Sequence, residues 1–352
     1  MKQSWQIGGA FVGIIVGAGF ASGQEIMQYF TSFGAYGIIG SIIATLMFMA
    51  LGKTLARLGK ELPTTSHKEV IYYIGGRYIG TLLDVVITFF LFGVAVVMFA
   101  GAGASATFEQ MFNIPAMVGS IIMAVATVLT LLLNVEGIIK VIGMLTPYLM
   151  IIIFIVLGYA LVTSDMSFND QHTLAQTQKS AASHWVIGAL LYVSYNIAAG
   201  IALLIVMGST AKTKKIAGTG GMLGGLLLGI LIVLINLTLL MKIDVVAEEA
   251  MPTLALAKQI HPAVGILMAI ALLGMMYNTA VGMIYSFTVR FVAPDYPYFK
   301  GIIVVIGMVG YGASFVGFTQ LVGNVYATMG YLGFALIIAT FMAAYRHRKN
   351  TI

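Results

Sequence analysis

The sequence predicts an all-α polytopic membrane protein of ten transmembrane helices in two mirrored halves, and three observations predict it. Hydrophobic residues fill 60% of the 352 positions and charged residues 9%, with a mean hydropathy of +1.00, far outside the range of soluble globular chains. Apolar stretches close to the roughly 20 residues that a membrane-spanning helix needs recur along the whole chain. Counting those stretches as crossings gathers the basic residues on one side.

The stretches run Trp5 to Phe33, Tyr36 to Arg57, Thr81 to Thr107, Pro115 to Leu133, Ile138 to Val162, His184 to Met207, Ile216 to Met241, Ala263 to Val289, Gly301 to Phe315, and Gln320 to Tyr345. The first follows Met1-Lys2 with no small-residue cleavage site, so it reads as a retained helix and not a signal peptide. Placing the N-terminus in the cytoplasm leaves only Lys179, Lys242 and Lys258 outside, so 15 of the 18 Lys and Arg residues lie inside. Lys140, Arg290, Arg346, Arg348 and Lys349 are among them, and both termini are cytoplasmic. The formal charge of +6 therefore reports topology and argues against nucleic acid as a partner. Outside lie Glu109, the connection from Ser164 to Ser183 with Asp165 and Asp170, and the acidic Asp244, Glu248 and Glu249. No linker is long or low enough in complexity to mark a second domain, so residues 1–352 read as one membrane domain.

Within the first stretch, Val16-Gly17-Ala18-Gly19-Phe20-Ala21-Ser22-Gly23-Gln24-Glu25 places three glycines and three polar groups where a lipid-facing helix would be apolar. A bilayer tolerates frayed backbone only where protein or a cavity covers it, so the helix is expected to break here and bind something. Ten helices divided five and five give halves of opposite orientation, residues 1–163 and 184–345, joined externally by 164–183. Two sequence echoes favour that division: Ala21-Ser22-Gly23 against Ala198-Ala199-Gly200, and Leu62-Pro63-Thr64 against Met251-Pro252-Thr253. The second pair opens short stretches, Ser66 to Tyr78 and Thr253 to Ile260, expected as helices on opposite membrane faces. The sixth stretch carries Tyr192, Ser194, Tyr195 and Asn196, and is expected to be interrupted like the first. Close helix packing explains small residues equally well, and it is the preferred account of Gly8, Gly9, Gly13, Gly220, Gly221, Gly224 and Gly225.

On these features the chain resembles the amino acid-polyamine-organocation superfamily, with its LeuT-type five-plus-five inverted repeat, and more narrowly bacterial amino acid permeases of the YkvI type. Gly17-Ala18-Gly19 is similar to the Gly-small-Gly of that superfamily's broken first helix. The resemblance implies that backbone groups of Gly17, Ala18, Gly19 and Phe20 meet a substrate carboxylate, with Ala21, Ser22, Gly23, Tyr192, Tyr195 and Asn196 completing the site. It also implies a bacterial cytoplasmic membrane and a sodium site where Asn278 and Thr279 join carbonyls of the first helix. The residues give a parallel account: a half-helix beginning near Ser22 points its positive end at an anion, and the preceding half-helix ends in carbonyls that suit a cation.

Glu25 is the acidic residue placed at membrane depth, where a carboxylate costs a few kcal/mol unless it is paired, protonated or hydrated. It either binds a substrate ammonium, takes up a coupling proton, or sits in a hydrated outer vestibule. Asn278 and Thr279 either ligate sodium or bond a neighbouring helix. Asp84 is an interfacial charge or half of an inner gate with Arg77 or a neighbouring basic residue, and Asn324, Tyr326 and Tyr331 either line a pathway or satisfy packing. Trp5, Trp185, Tyr296 and Tyr298 read as interfacial anchors.

The five histidines stand in connections or at stretch ends, and there is no cysteine, so neither a helical metal pair nor a thiol nucleophile is available. Ser22-Gly23 lacks the strand and histidine of a nucleophile elbow, and Gly17-Ala18-Gly19 opens no phosphate fingerprint. An enzyme is not expected, and no cofactor beyond bound sodium. The expected function is ion-coupled symport of a small amino acid or related solute by alternating access, driven by sodium or protons. A ligand sensor of the same fold that does not translocate is the alternative, and a channel is a more distant one.

Overall fold

The computed structural model describes residues 2–61, 67–103, 108–133, 145–163 and 166–350. Their regular structure is helical. In chain order the helices are α1 Lys2–Ile15, α2 Ala18–Ala21, α3 Gln24–Tyr29, α4 Ala35–Glu61, α5 His67–Gly103, α6 Phe108–Phe112, α7 Ala116–Leu133, α8 Leu145–Val162 and α9 Phe168–Gln176. They continue as α10 Trp185–Ser209, α11 Lys214–Met241, α12 Ile243–Val246, α13 Pro252–Ile260, α14 Pro262–Val289, α15 Phe299–Ser314, α16 Phe318–Leu321 and α17 Ala327–Asn350. A π-helical segment, Val322–Tyr326, joins the last two.

Five helical stretches, Ala35–Glu61, Gly76–Ala102, Lys214–Met241, Pro262–Val289 and Phe318–Ala343, are long and apolar enough to cross a membrane, and four shorter apolar helices accompany them. The chain is an integral, polytopic membrane protein. Leu62-Pro63-Thr64, Ser66, Thr107, Ile138 to Met144 with Lys140, Ser164 and Asp165 lie outside the described residues, so the tripeptide echo of Met251-Pro252-Thr253 has no structural counterpart to compare.

Helix starts follow local chemistry. Thr213 accepts a hydrogen bond from the Ile216 N–H at 3.2 Å, which satisfies one of the donors that a helix start leaves free. The histidines at stretch ends do the same work: His184 accepts from the Val186 N–H at 3.3 Å, and His261 accepts from the Ala263 N–H at 3.1 Å. Pro262 occupies the first turn of α14, where its missing N–H costs nothing.

Helix packing divides the molecule into two groups. In one, α11 lies along α4 and α1, and α10 lies along α4; in the other, α5 packs on α14 and α7, and α7 packs on α15. Helix α17 touches both α10 and α5. The glycines of α11 make the first group possible. A methyl carbon added at Gly221 would stand 2.0 Å from the Gly52 carbonyl oxygen, and one at Gly224 would stand 2.8 Å from the Gly8 carbonyl oxygen. Backbones this close leave no room for any side chain, which is the packing expected of small residues between membrane helices. Gly9 and Gly13 depart from that expectation, because neither has a neighbour within 4 Å. Gly221→Val is therefore expected to separate α4 from α11 and destabilise the protein by about 3 kcal/mol or more. Gly9→Val should leave the thermal midpoint in detergent nearly unchanged.

The structure corrects two further expectations. Helix α10 runs unbroken from Trp185 to Ser209, so the sixth stretch is not interrupted. Its polar groups find partners without fraying the helix: Ser194 donates to the Gly330 carbonyl at 2.7 Å, and Asn196 donates to the Tyr192 carbonyl one turn back at 2.9 Å. Its Gly200 faces Ile15 and Phe11, a packing role. Helix α13 does not lie on a membrane face; Pro252 to Ala257 are buried and only Lys258 and Gln259 are exposed. Of the partners allowed for Asp84, the structure shows a basic residue other than Arg77: Asp84 pairs with Arg290, and the same guanidinium donates to the Asp84 carbonyl at 3.1 Å, tying the end of α14 to α5.

Candidate functional site: a pocket at the break in the first helix

Helix α1 stops at Ile15 because the next turn folds on itself. The Gly17 N–H donates to the Ile15 carbonyl at 2.7 Å, in place of the Gly13 carbonyl that a continuous helix would offer. The short α2 follows, and a second break comes at Ser22-Gly23. Gly23 has φ 80° and ψ −8°, a left-handed conformation that favours glycine. Ser22 holds the turn by donating to the Gly19 carbonyl at 2.8 Å and accepting from the Gln24 N–H at 3.3 Å. Carbonyls released by this break are met from α13: Thr253 donates its hydroxyl to the Ala21 carbonyl at 2.6 Å and its N–H to the Ser22 carbonyl at 3.0 Å. The unwound backbone is thus covered by protein, as membrane depth requires.

Beside the first break lies a cavity of about 280 Å³. The broken stretch contributes Gly13, Gly17, Gly19 and Glu25 to its wall, α5 contributes Phe90, Val94 and Met98, and α10 contributes Tyr195 and Asn196. Helix α14 adds Met275, Asn278, Thr279 and Met283, and the π-helical segment adds Tyr326. Among the described residues, Glu25 is the only charged side chain in this wall. It is 5% exposed, and one carboxylate oxygen accepts the Tyr195 hydroxyl at 2.6 Å. Among the described residues the ion pairs join Glu61 to Arg57 and Lys214, and Asp84 to Arg290; none reaches Glu25. The other carboxylate oxygen stands over Gly19, 2.0 Å from where a methyl carbon there would sit.

An aromatic cluster closes one side. The Tyr195 and Tyr326 rings stack with centroids 5.0 Å apart, and Tyr29 and Tyr192 meet edge to face at 5.7 Å. The π-helical turn at Val322–Tyr326 directs Tyr326 here; such turns recur at functional sites. Gln28 donates to the Thr319 carbonyl at 2.9 Å, fastening α3 to the start of α16.

Of the residues singled out in the sequence, Gly17, Gly19, Glu25, Tyr195, Asn196, Asn278 and Thr279 come together at the pocket wall. Phe20, Ala21, Ser22, Gly23 and Tyr192 do not line it. Phe20 and Tyr192 are fully buried, and Ala21, Ser22 and Gly23 are held by each other and by α13. Ala18 opens α2. Tyr277, next to Asn278, points away and bonds Thr130 of α7, which turns its two polar neighbours toward the cavity. Of the three candidates in the last stretch only Tyr326 faces the pocket; Asn324 and Tyr331 are exposed. Phe90, Met98, Met275 and Met283 were not foreseen, since apolar residues in an apolar helix carry no distinguishing mark. Gly13 carried none either: only the structure shows that nothing stands within 4 Å of it.

No protein-family model matches the sequence. Two relatives come from Bacillus subtilis (strain 168). One, described as the uncharacterized membrane protein YkvI, is 26% identical over 348 residues, covering 98% of this chain and 97% of that one. The other, described as the uncharacterized protein YyaD, is 25% identical over 332 residues, covering 94% of each. Among solved structures, a mutant of the Eremococcus coleocola manganese transporter superposes with a TM-score of 0.57 at 17% identity, over 95% of this chain and 77% of that one. The same transporter in complex with an aromatic bis-isothiourea substituted compound gives a TM-score of 0.58 at 17% identity, over 95% and 76% of the two chains. These likenesses establish a fold shared with that transporter.

Proposed function

We propose that this chain is a secondary active carrier, a symporter that moves a small ammonium-bearing solute, an amino acid or related amine, through the pocket beside Glu25. The observation that carries the reading is the pocket itself. It lies where a membrane helix breaks, and it holds one buried carboxylate with no cation to neutralise it among the described residues. A lone carboxylate at this depth costs a few kcal/mol, and a bound cation or proton offsets that cost. Ten crossings as two inverted halves, 1–163 and 184–345, fit the break at the first helix and the two packed helix groups. The shared fold with a transporter favours carriage over catalysis.

Exposed wall residues, Gly13 and Ile14 of α1 and Asn278 and Gly282 of α14, lie on the halves of their helices that the charge asymmetry assigns to the cytoplasm. Tyr29, Phe30 and Tyr192 are fully buried at the opposite end. The conformation then faces inward, and rocking of the α1, α4, α10 and α11 group against the rest would expose the pocket outward. Coupling falls either to a proton on Glu25 or to sodium held by Asn278 and Thr279 with carbonyls at the end of α1. Manganese is the cargo named for the neighbouring carrier. Here, among the described residues, no three His, Cys, Asp or Glu side chains cluster, so an ammonium suits the donor set better than a divalent metal.

Reconstituted proteoliposomes should accumulate a cationic or zwitterionic solute against its gradient when an inward proton or sodium gradient is imposed, and should only equilibrate it without one. Binding without accumulation would replace the carrier by a sensor of the same fold. Manganese uptake alone would move the cargo from ammonium to metal.

A further inference from the structure

Resting on the reading of this pocket as a solute site, we infer that its substrate is an amine carrying no carboxylate, a small organic cation, and not a zwitterionic amino acid. A zwitterion has two poles and needs a receptor for each. The positive pole is provided for: Glu25 contributes the wall's single charge, and α1 ends in carbonyls beside it. Asn196 donates one N–H to the Tyr192 carbonyl at 2.9 Å, and its amide oxygen adds an acceptor to the same wall.

The negative pole is less well provided for. A broken membrane helix grips a carboxylate with freed N–H groups, and several donors of this break are used within it. Gly17 donates to Ile15 at 2.7 Å, Ala21 to Gly17 at 2.9 Å, Gly23 to Phe20 at 3.0 Å and Met27 to Gly23 at 2.8 Å, while Gln24 donates to Ser22 Oγ at 3.3 Å. Gly19 also lines the pocket, but the Glu25 carboxylate occupies its face, 2.0 Å from the position of a methyl carbon. A substrate carboxylate seated at Gly19 would meet Glu25, charge against like charge, in a wall that holds no Lys, Arg or His among the described residues.

The rest of the wall suits an ammonium with an apolar body. Phe90 and Tyr326 stand 6.5 Å apart at a tilt, Tyr195 stacks on Tyr326 at 5.0 Å, and ring faces attract a desolvated cation. Thioethers of Met98 and Met275 offer polarisable surface to the alkyl part.

The test uses the purified full-length protein and a matched pair of probes, isopentylamine and leucine, which differ by one carboxylate. Thermal-shift titration is expected to give isopentylamine an apparent Kd at least about tenfold below that of leucine. Glu25→Gln should abolish the isopentylamine shift, and Phe90→Leu should weaken it several-fold. If Glu25→Gln does not fold, the ratio measured on the wild type and the effect of Phe90→Leu still decide. Leucine binding as tightly as isopentylamine, or no shift with isopentylamine, overturns the inference. Uptake separates it from the carrier reading: accumulation of leucine would leave the carrier and remove the amine, whereas isopentylamine that binds but is not accumulated would leave the amine and remove the carrier.

Discussion

Glu25→Gln is expected to cut solute uptake by about 100-fold while leaving the fold as stable as before or more so. The two effects have opposite signs for one reason. Glutamine is nearly the shape of glutamate, and its amide oxygen can still accept the Tyr195 hydroxyl that now lies 2.6 Å from the carboxylate. What disappears is a charge that is 5% exposed and has no ion-pair partner among the described residues. Relieving that desolvation should raise stability by about 1–3 kcal/mol, read as a higher midpoint in detergent. Losing the charge removes the attraction for an ammonium group and the place for a coupling proton. If coupling runs through that proton, residual uptake in the variant should no longer respond to an imposed proton gradient; if it runs through sodium at Asn278 and Thr279, the sodium response should survive. A variant that keeps full uptake would make Glu25 a packing residue and remove the centre of the proposed site.

The break in the first helix was legible in the sequence because polarity and glycine coincide there. Gly17, Gly19 and Gly23 remove helix propensity, and Ser22, Gln24 and Glu25 add groups that lipid would not accept. The same logic misjudged α10. Tyr192, Ser194, Tyr195 and Asn196 are equally polar, but Ser194 and Asn196 bond backbone carbonyls that an intact helix presents, and Tyr195 reaches Glu25. Polarity within a membrane helix thus signals a partner, and only left-handed or refolded turns such as Gly23 and Gly17 signal a break. Part of the pocket wall stayed out of sight for a different reason. Phe90, Val94, Met98, Met275 and Met283 belong to helices apolar throughout, and which face of such a helix turns inward is decided by packing. The role of Thr253 was likewise hidden: its segment matched a surface helix by pattern, whereas its two bonds to Ala21 and Ser22 bury it.

Gly19→Ala tests the site at its tightest point and should be nearly as damaging as Glu25→Gln. The added methyl carbon would lie 2.0 Å from one Glu25 carboxylate oxygen, 2.9 Å from its carboxylate carbon and 3.3 Å from Cγ, so the acid must move. Backbone strain is not the issue, since Gly19 belongs to α2 and has no left-handed φ. A longer reach is not available either, because the other carboxylate oxygen is tethered to Tyr195. Displacement should break that tether and carry the charge away from the cavity, lowering uptake by about 10- to 100-fold with a modest loss of stability, about 1–3 kcal/mol. The decisive arm is the double variant Gly19→Ala with Glu25→Asp. Shortening the acid by one methylene draws the carboxylate back from the methyl group, so the pair should transport better than Gly19→Ala alone even though Glu25→Asp by itself transports worse than the wild type. Such sign reversal arises when two residues compete for the same space. Additive losses would mean that the Gly19 methyl acts elsewhere in the broken helix, and that the carboxylate is not held where an ammonium could meet it.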